Sequence, residues 1–126
     1  MNNMEPSNVI VEKTEAFAIR IVNLYKFLRF NDNETKRETV LSKQVLRSGT
    51  SIGANVAEAQ YGCTKKEFRA KMQIAIKEAN ETCYWLKLLK ATDYLDKNQY
   101  KSISNDCSEI IKILTAIINS SNANDQ

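Results

Sequence analysis

Residues 47–59, RSGTSIGANVAEA, decide the fold, because two very different structures carry two glycines, three hydroxyls and an amide within nine residues. One is a phosphate loop whose peptide nitrogens wrap an anion. The other is a helix that a neighbour approaches closely. A Walker-type loop requires GxxxxGK followed by Ser or Thr, so that a lysine reaches the outer phosphates; here that lysine is missing and the glycines are only four apart. A dinucleotide loop requires GxGxxG between a strand and a helix, and no strand pattern precedes this stretch. A spacing of four instead places Gly49 and Gly53 on one helical face. Two glycines inside a helix cost roughly 1 kcal/mol each relative to alanine, so the stretch predicts compensation by a closely packed backbone or bulky side chain.

Helical phase sorts the surrounding residues. Val45, Ile52, Val56 and Ala59 form a core stripe, bordered on one flank by the glycines and on the other by Gln44, Ser48, Ser51, Asn55 and Glu58. This polar seam, with Arg47 beside it, has two readings. Its hydroxyls and amide bond one another, the backbone or water within the bundle, or Arg47, Ser48, Ser51, Asn55 and Glu58 face another subunit or a polar ligand.

The same period runs through the rest of the chain. Ile10, Phe17, Ile21, Leu24 and Leu28 share a face of a first helix, closed by Asn31, Asp32 and Asn33. A second is expected to begin near Thr35, with Glu38 completing a capping box, and to run through Leu41 and Val45 to Ala59. Thr64 and Glu67 cap a third, with Phe68, Met72, Ala75, Ala79, Thr82, Leu86 and Leu89 as its seam. Asp96 and Gln99 open a fourth, with Tyr100, Ile103, Cys107, Ile110, Leu114 and Ile117 on one side. Only three glycines and one proline are available for turns, which leaves little material for a meander of strands. The chain therefore reads as all-α, an up-down-up-down antiparallel four-helix bundle. With 126 residues it forms a single domain, 1–126, with flexible ends at about 1–8 and 120–126.

Chemistry is narrowed by what the composition lacks. Without histidine, imidazole-based triads, dyads and di-iron sites cannot be built. The three cysteines have no CxxC spacing and read as small buried hydrophobes in a reducing compartment. Cys63, just before the third helix, has no acid, base or resolving cysteine nearby in sequence. Glu78 and Glu81 lie beside Trp85 with lysines in reach, a pattern of solvated ion pairs rather than a magnesium site. No catalytic residue, metal or cofactor is expected. MNNMEPSN lacks the basic start and apolar run of a signal peptide, and IIKILTAII is short and broken by Lys112, so a cytoplasmic protein without membrane contact is expected.

Two surfaces remain. Ile74, Trp85 and Leu88 on the third helix, with Ala16, Ile19, Phe27 and Phe30 on the first, lie away from the core stripes and suggest burial between subunits. Lys66, Arg69, Gln73, Lys77, Asn80 and Lys87 share the outward face of the third helix, either a solvated charged face or a ladder for nucleic-acid phosphates. The net charge of +3 is too mild to decide between them.

The run QVLRSGTSIGANVAEAQ, followed by KKEFRAKMQIAIKEANETCYWLKLL, resembles a bacterial four-helix-bundle family first noticed as reading frames within intervening sequences of large-subunit ribosomal RNA genes. The likeness rests on Arg47, Ser48, Ser51, Ile52, Asn55, Val56, Ala57, Glu58, Lys66, Phe68, Ala75, Glu78, Glu81, Leu86 and Leu89, and extends from about Phe17 to Ile118. Ala59 departs from the glycine often found there in the family. The resemblance implies a non-enzymatic bundle of unsettled role that self-associates, as a cyclic pentamer. A related fold, the accessory protein of diversity-generating retroelements, looks like a basic oligomer that partners a reverse transcriptase and nucleic acid. Two functions follow as expectations: a scaffold that binds RNA or DNA backbone, or a protein-interaction or small-ligand bundle that uses the polar seam.

Overall fold

The structure, a computed structural model, describes residues 6–124. These residues form four α-helices, α1 (Pro6–Arg29), α2 (Leu41–Glu58), α3 (Lys65–Ala91) and α4 (Lys97–Asn124), and no strand. Each helix packs on the next, and α4 closes back on α1 less extensively, as an up-and-down antiparallel bundle requires. Helix therefore covers 6–8 and 120–124, part of the spans expected to be flexible ends. Residues 1–5 and 125–126 of those spans lie outside the described residues.

The core is the set of stripes that the period picks out. Ile10, Phe17, Ile21, Leu24 and Leu28 of α1 are buried, as are Val45, Ile52 and Val56 of α2, Met72, Ala75, Ala79, Leu86 and Leu89 of α3, and Ile103, Cys107, Ile110 and Leu114 of α4. Thr14 fills the turn between Ile10 and Phe17, its hydroxyl donating 2.7 Å to the Ile10 carbonyl, so a polar side chain enters the stripe without an unsatisfied group. At the end of α4 the stripe continues through Ile118 rather than Ile117, which is only half-buried. Tyr100 and Phe68 also pack from the edge, half-buried against the core.

The close approach predicted at the glycines is between α1 and α2. A Cβ on Gly49 would lie 2.7 Å from Cγ1 and 2.9 Å from Cγ2 of Ile21. A Cβ on Gly53 would lie 3.2 Å from the backbone oxygen of Thr14. Residues 47–59 are thus helix, except for the capping Ala59, and the missing side chains admit α1.

Caps fix where each helix starts. Thr64 accepts from the Glu67 amide at 3.1 Å and Glu67 accepts from the Thr64 amide at 3.2 Å, the capping box expected for α3. These bonds hold the Glu67 carboxyl below its ordinary value. Asp96 and Gln99 exchange the same pair of bonds before α4. The expected start of α2 near Thr35 is corrected. Asn33 caps a single 3-10 turn at Glu34–Lys36, and α2 starts only at Leu41. Asn33 takes the Thr35 amide first, so Thr35 is a turn residue rather than a cap. Glu38 is still an N-terminal acceptor, but for α2 itself. Its carboxylate accepts from the amides of Ser42 at 2.6 Å and Val40 at 3.2 Å, while the Ser42 hydroxyl donates to the Glu38 carbonyl at 2.9 Å. Because Val40 offers no capping side chain, Glu38→Ala is expected to cost about 1 kcal/mol, read as a lower urea midpoint with an unchanged slope.

Candidate nucleic-acid interface and the polar seam

The polar seam of α2 faces α3. Arg47 bonds both Glu78, at 3.3 Å, and Glu81, and Glu81 also accepts the indole N–H of Trp85 at 2.9 Å. The carboxylates that the sequence placed near lysines are thus bound by an arginine 31 and 34 residues away. Ser48 is completely buried, and its hydroxyl shares a 2.9 Å hydrogen bond with that of Thr82, which also reaches the Glu78 carbonyl at 2.8 Å. The half-buried Asn55 donates to the carbonyl of Ser51 at 2.9 Å and to its hydroxyl at 3.2 Å. Glu58 pairs with Lys71 at 3.0 Å. All five seam side chains therefore have a partner within α2 or on α3. Thr82→Val leaves the buried Ser48 hydroxyl without its neighbour and is expected to destabilise by about 1–2 kcal/mol in thermal unfolding, with the double change Ser48→Ala/Thr82→Val closer to neutral.

The outward face of α3 is differently built. Lys66, Gln73, Lys77, Asn80 and Lys87 are exposed along one side of the helix, while Arg69 is half-buried and leans to α4, 3.5 Å from the Ser121 hydroxyl. α3 carries seven cationic side chains and three carboxylates. Glu67 is used in the cap, and Glu78 and Glu81 are turned inward to Arg47. Among the described residues, Lys66, Lys77 and Lys87 have no carboxylate within ion-pair distance, whereas Lys13, Arg20, Arg47 and Lys71 all do. Tyr84 belongs to this face as well, 55% exposed between Asn80 and Lys87. Sequence reasoning passed over it, although its spacing of three from Lys87 and seven from Lys77 gave the signal.

The apolar residues assigned to subunit contact divide. Ile74 is exposed on α3, Ile19 and Phe27 are exposed on α1, and Phe30 is exposed just after it. Trp85 and Leu88 are half-buried within the chain, and Trp85 packs edge-on to Tyr84 with ring centroids 5.2 Å apart. Two depressions of the surface lie along the α1/α4 seam. One, of about 550 Å³, lies among Arg20, Phe27, Leu95, Gln99 and Ile103. Among the described residues no helix is long and apolar enough to cross a membrane, and no group of three or more Cys, Asp or Glu side chains could hold a metal ion.

Comparison with known proteins matches this architecture. A crystal structure from Bacteroides thetaiotaomicron VPI-5482, of a protein with unknown function from the S23 ribosomal protein family, superposes with a TM-score of 0.85. The two sequences are 54% identical over 91% of this chain and 99% of the other. No curated protein matches the chain. The pattern of the 23S rRNA-intervening sequence protein family matches residues 7–116, which takes in α2, α3 and most of α1 and α4. The chain belongs to the 23S rRNA-intervening sequence protein family.

Proposed function

We propose that this protein is a non-enzymatic, self-assembling bundle that binds the phosphate backbone of RNA or DNA along the outer face of α3, without reading base sequence. The observation that carries the reading is the unpaired state of Lys66, Lys77 and Lys87 on a helix whose own carboxylates are engaged elsewhere. A cation already neutralised by a neighbour gains little from a phosphate, whereas a free one releases counterions on contact. Tyr84 adds an exposed ring on which an unpaired base can stack. Self-assembly draws support from the exposed Ile19 and Phe27 of α1, Phe30 just after it, and Ile74 of α3. In the pentameric ring that the resemblance implies, copies of the lysine ladder repeat, and weak contacts add. In this reading the protein works in the cytoplasm without a cofactor, and a polymerase such as a reverse transcriptase is the protein partner it accommodates. The seam of Arg47, Ser48, Ser51, Asn55 and Glu58 is a weaker candidate for recognition, because its side chains already bond α2 and α3.

Titration of a labelled RNA hairpin and a DNA duplex, each at about 50 and 200 mM salt, tests the reading. Binding at low salt that falls steeply at the higher is expected, with little preference among sequences. Absence of binding at low salt, or binding indifferent to salt, sinks it. Sedimentation at micromolar concentration checks assembly separately, and a monomer there removes the self-assembling part.

A further inference from the structure

Cys83 on α3 and Cys107 on α4 face each other across the seam between the two helices, with their sulfurs 3.2 Å apart. Both are free thiols. Cys107 is completely buried, and its sulfur also lies 3.3 Å from the Ala79 carbonyl, so its position is fixed from two sides. Cys83 is half-buried and is the member of the pair that solvent reaches. A disulfide requires sulfurs about 2.05 Å apart, so the two must close by roughly 1.2 Å, within reach of small side-chain rotations between two packed helices.

We infer that Cys83 and Cys107 form a dithiol site that a peroxide oxidises to an intrachain disulfide joining α3 to α4. In the resting pair, Cys83 donates to Cys107 and Cys107 donates to Ala79. When Cys83 ionises, the Cys107 S–H turns to its sulfur. That bond holds the Cys83 thiol below its ordinary value against the opposing effect of burial. The same bond, burial and the charge on Cys83 hold Cys107 well above its own, so the buried partner keeps its proton. Cys83 thiolate attacks one oxygen of hydrogen peroxide, the O–O bond breaks, and Cys83 sulfenic acid and hydroxide result. The Cys107 sulfur then attacks the sulfenic sulfur. The S–S bond forms, the S–O bond breaks, and the departing hydroxyl leaves as water with the Cys107 proton, while the first hydroxide recovers the proton that Cys83 gave to solvent. Two thiols and one peroxide yield one disulfide and two waters, and the two sulfurs supply the two electrons.

Oxidation of the Cys63→Ser chain with a small excess of hydrogen peroxide tests this, since it removes the third thiol. The expected product is lighter by roughly 2 Da, contains a peptide linking residues 83 and 107, and reverts with dithiothreitol. Closing this loop is expected to raise the melting midpoint by about 10 °C. Cys107→Ser should stop at a sulfenic acid on Cys83 that dimedone traps, and Cys83→Ser should leave Cys107 unreacted. Sulfinic acid at Cys83 with no linked peptide, or a link between chains in place of one within the chain, overturns the inference.

Discussion

Gly49→Val is expected to lower the unfolding free energy by at least about 3 kcal/mol, seen as a fall in the melting midpoint of roughly 10 °C or more. The first atom of any side chain at 49 lands 2.7 Å from Cγ1 of Ile21, well inside the distance at which carbon atoms attract. Ile21 cannot turn away. It is completely buried, and a β-branched side chain in a helix has one strongly preferred rotamer. Moving α1 outward instead unpacks Phe17 and Leu24 and loosens the contact of Gly53 with the Thr14 backbone. Gly49→Ala meets the same obstacle, but recovers about 1 kcal/mol of helix propensity, so its loss is smaller. Gly62 is the control, because its φ of +63° is the only strain and no atom lies within 4 Å of an added Cβ; Gly62→Ala should cost about 1 kcal/mol. Ile21→Ala in the Gly49→Val background should restore part of the loss. A Gly49→Val protein that melts with the unchanged chain removes the close approach of α1 and α2 from the account of the fold.

The triple change Lys66→Glu/Lys77→Glu/Lys87→Glu is expected to weaken hairpin binding about 100-fold at low salt and to lower the slope of log K against log salt by about 3. All three lysines are exposed and lack carboxylate partners among the described residues, so helicity and melting should change little. That separation is what makes the experiment decisive. Arg47→Glu does the opposite, since it sets a carboxylate against Glu78 and Glu81 and should lower stability while leaving the lysine face untouched. If the triple variant binds like the parent, the outer face of α3 is only a solvated surface.

The three long stripes were legible because a buried helical face repeats every three or four residues over many turns, and Phe17, Met72 and Leu114 lie where that period puts them. The start of α2 was not, because two local signals overlap. Asn33 and Thr35 compete for the same turn, and Glu38 serves the helix after it rather than one already begun. Gly49 and Gly53 announced a close neighbour, but only the packed bundle names Ile21 and Thr14. The same limit applies to the candidate site. Spacing puts Lys66, Lys77 and Lys87 on one face, yet their lack of partners depends on where Arg47 draws Glu78 and Glu81 from a different helix. The meeting of Cys83 with Cys107 was likewise invisible in a chain where they stand 24 residues apart.

The α1/α4 seam is fastened on its outside. Lys13 pairs with Glu109 and Arg20 with Asp106, all substantially exposed, beside a hollow rather than a dry hydroxyl pair such as Ser48 and Thr82. Exposed pairs fade as ions crowd around them, with a Debye length of only about 3 Å in 1 M salt. The α2/α3 seam carries exposed pairs of its own, Arg47 with Glu78 and Glu81 and Glu58 with Lys71, but adds the dry Ser48–Thr82 bond, so the α1/α4 flank is the more salt-soft of the two. Concentrated sodium chloride should quicken amide exchange more along the facing turns of α1 and α4 than along α2 and α3, which makes ionic strength a dial for loosening one side of the molecule ahead of the other.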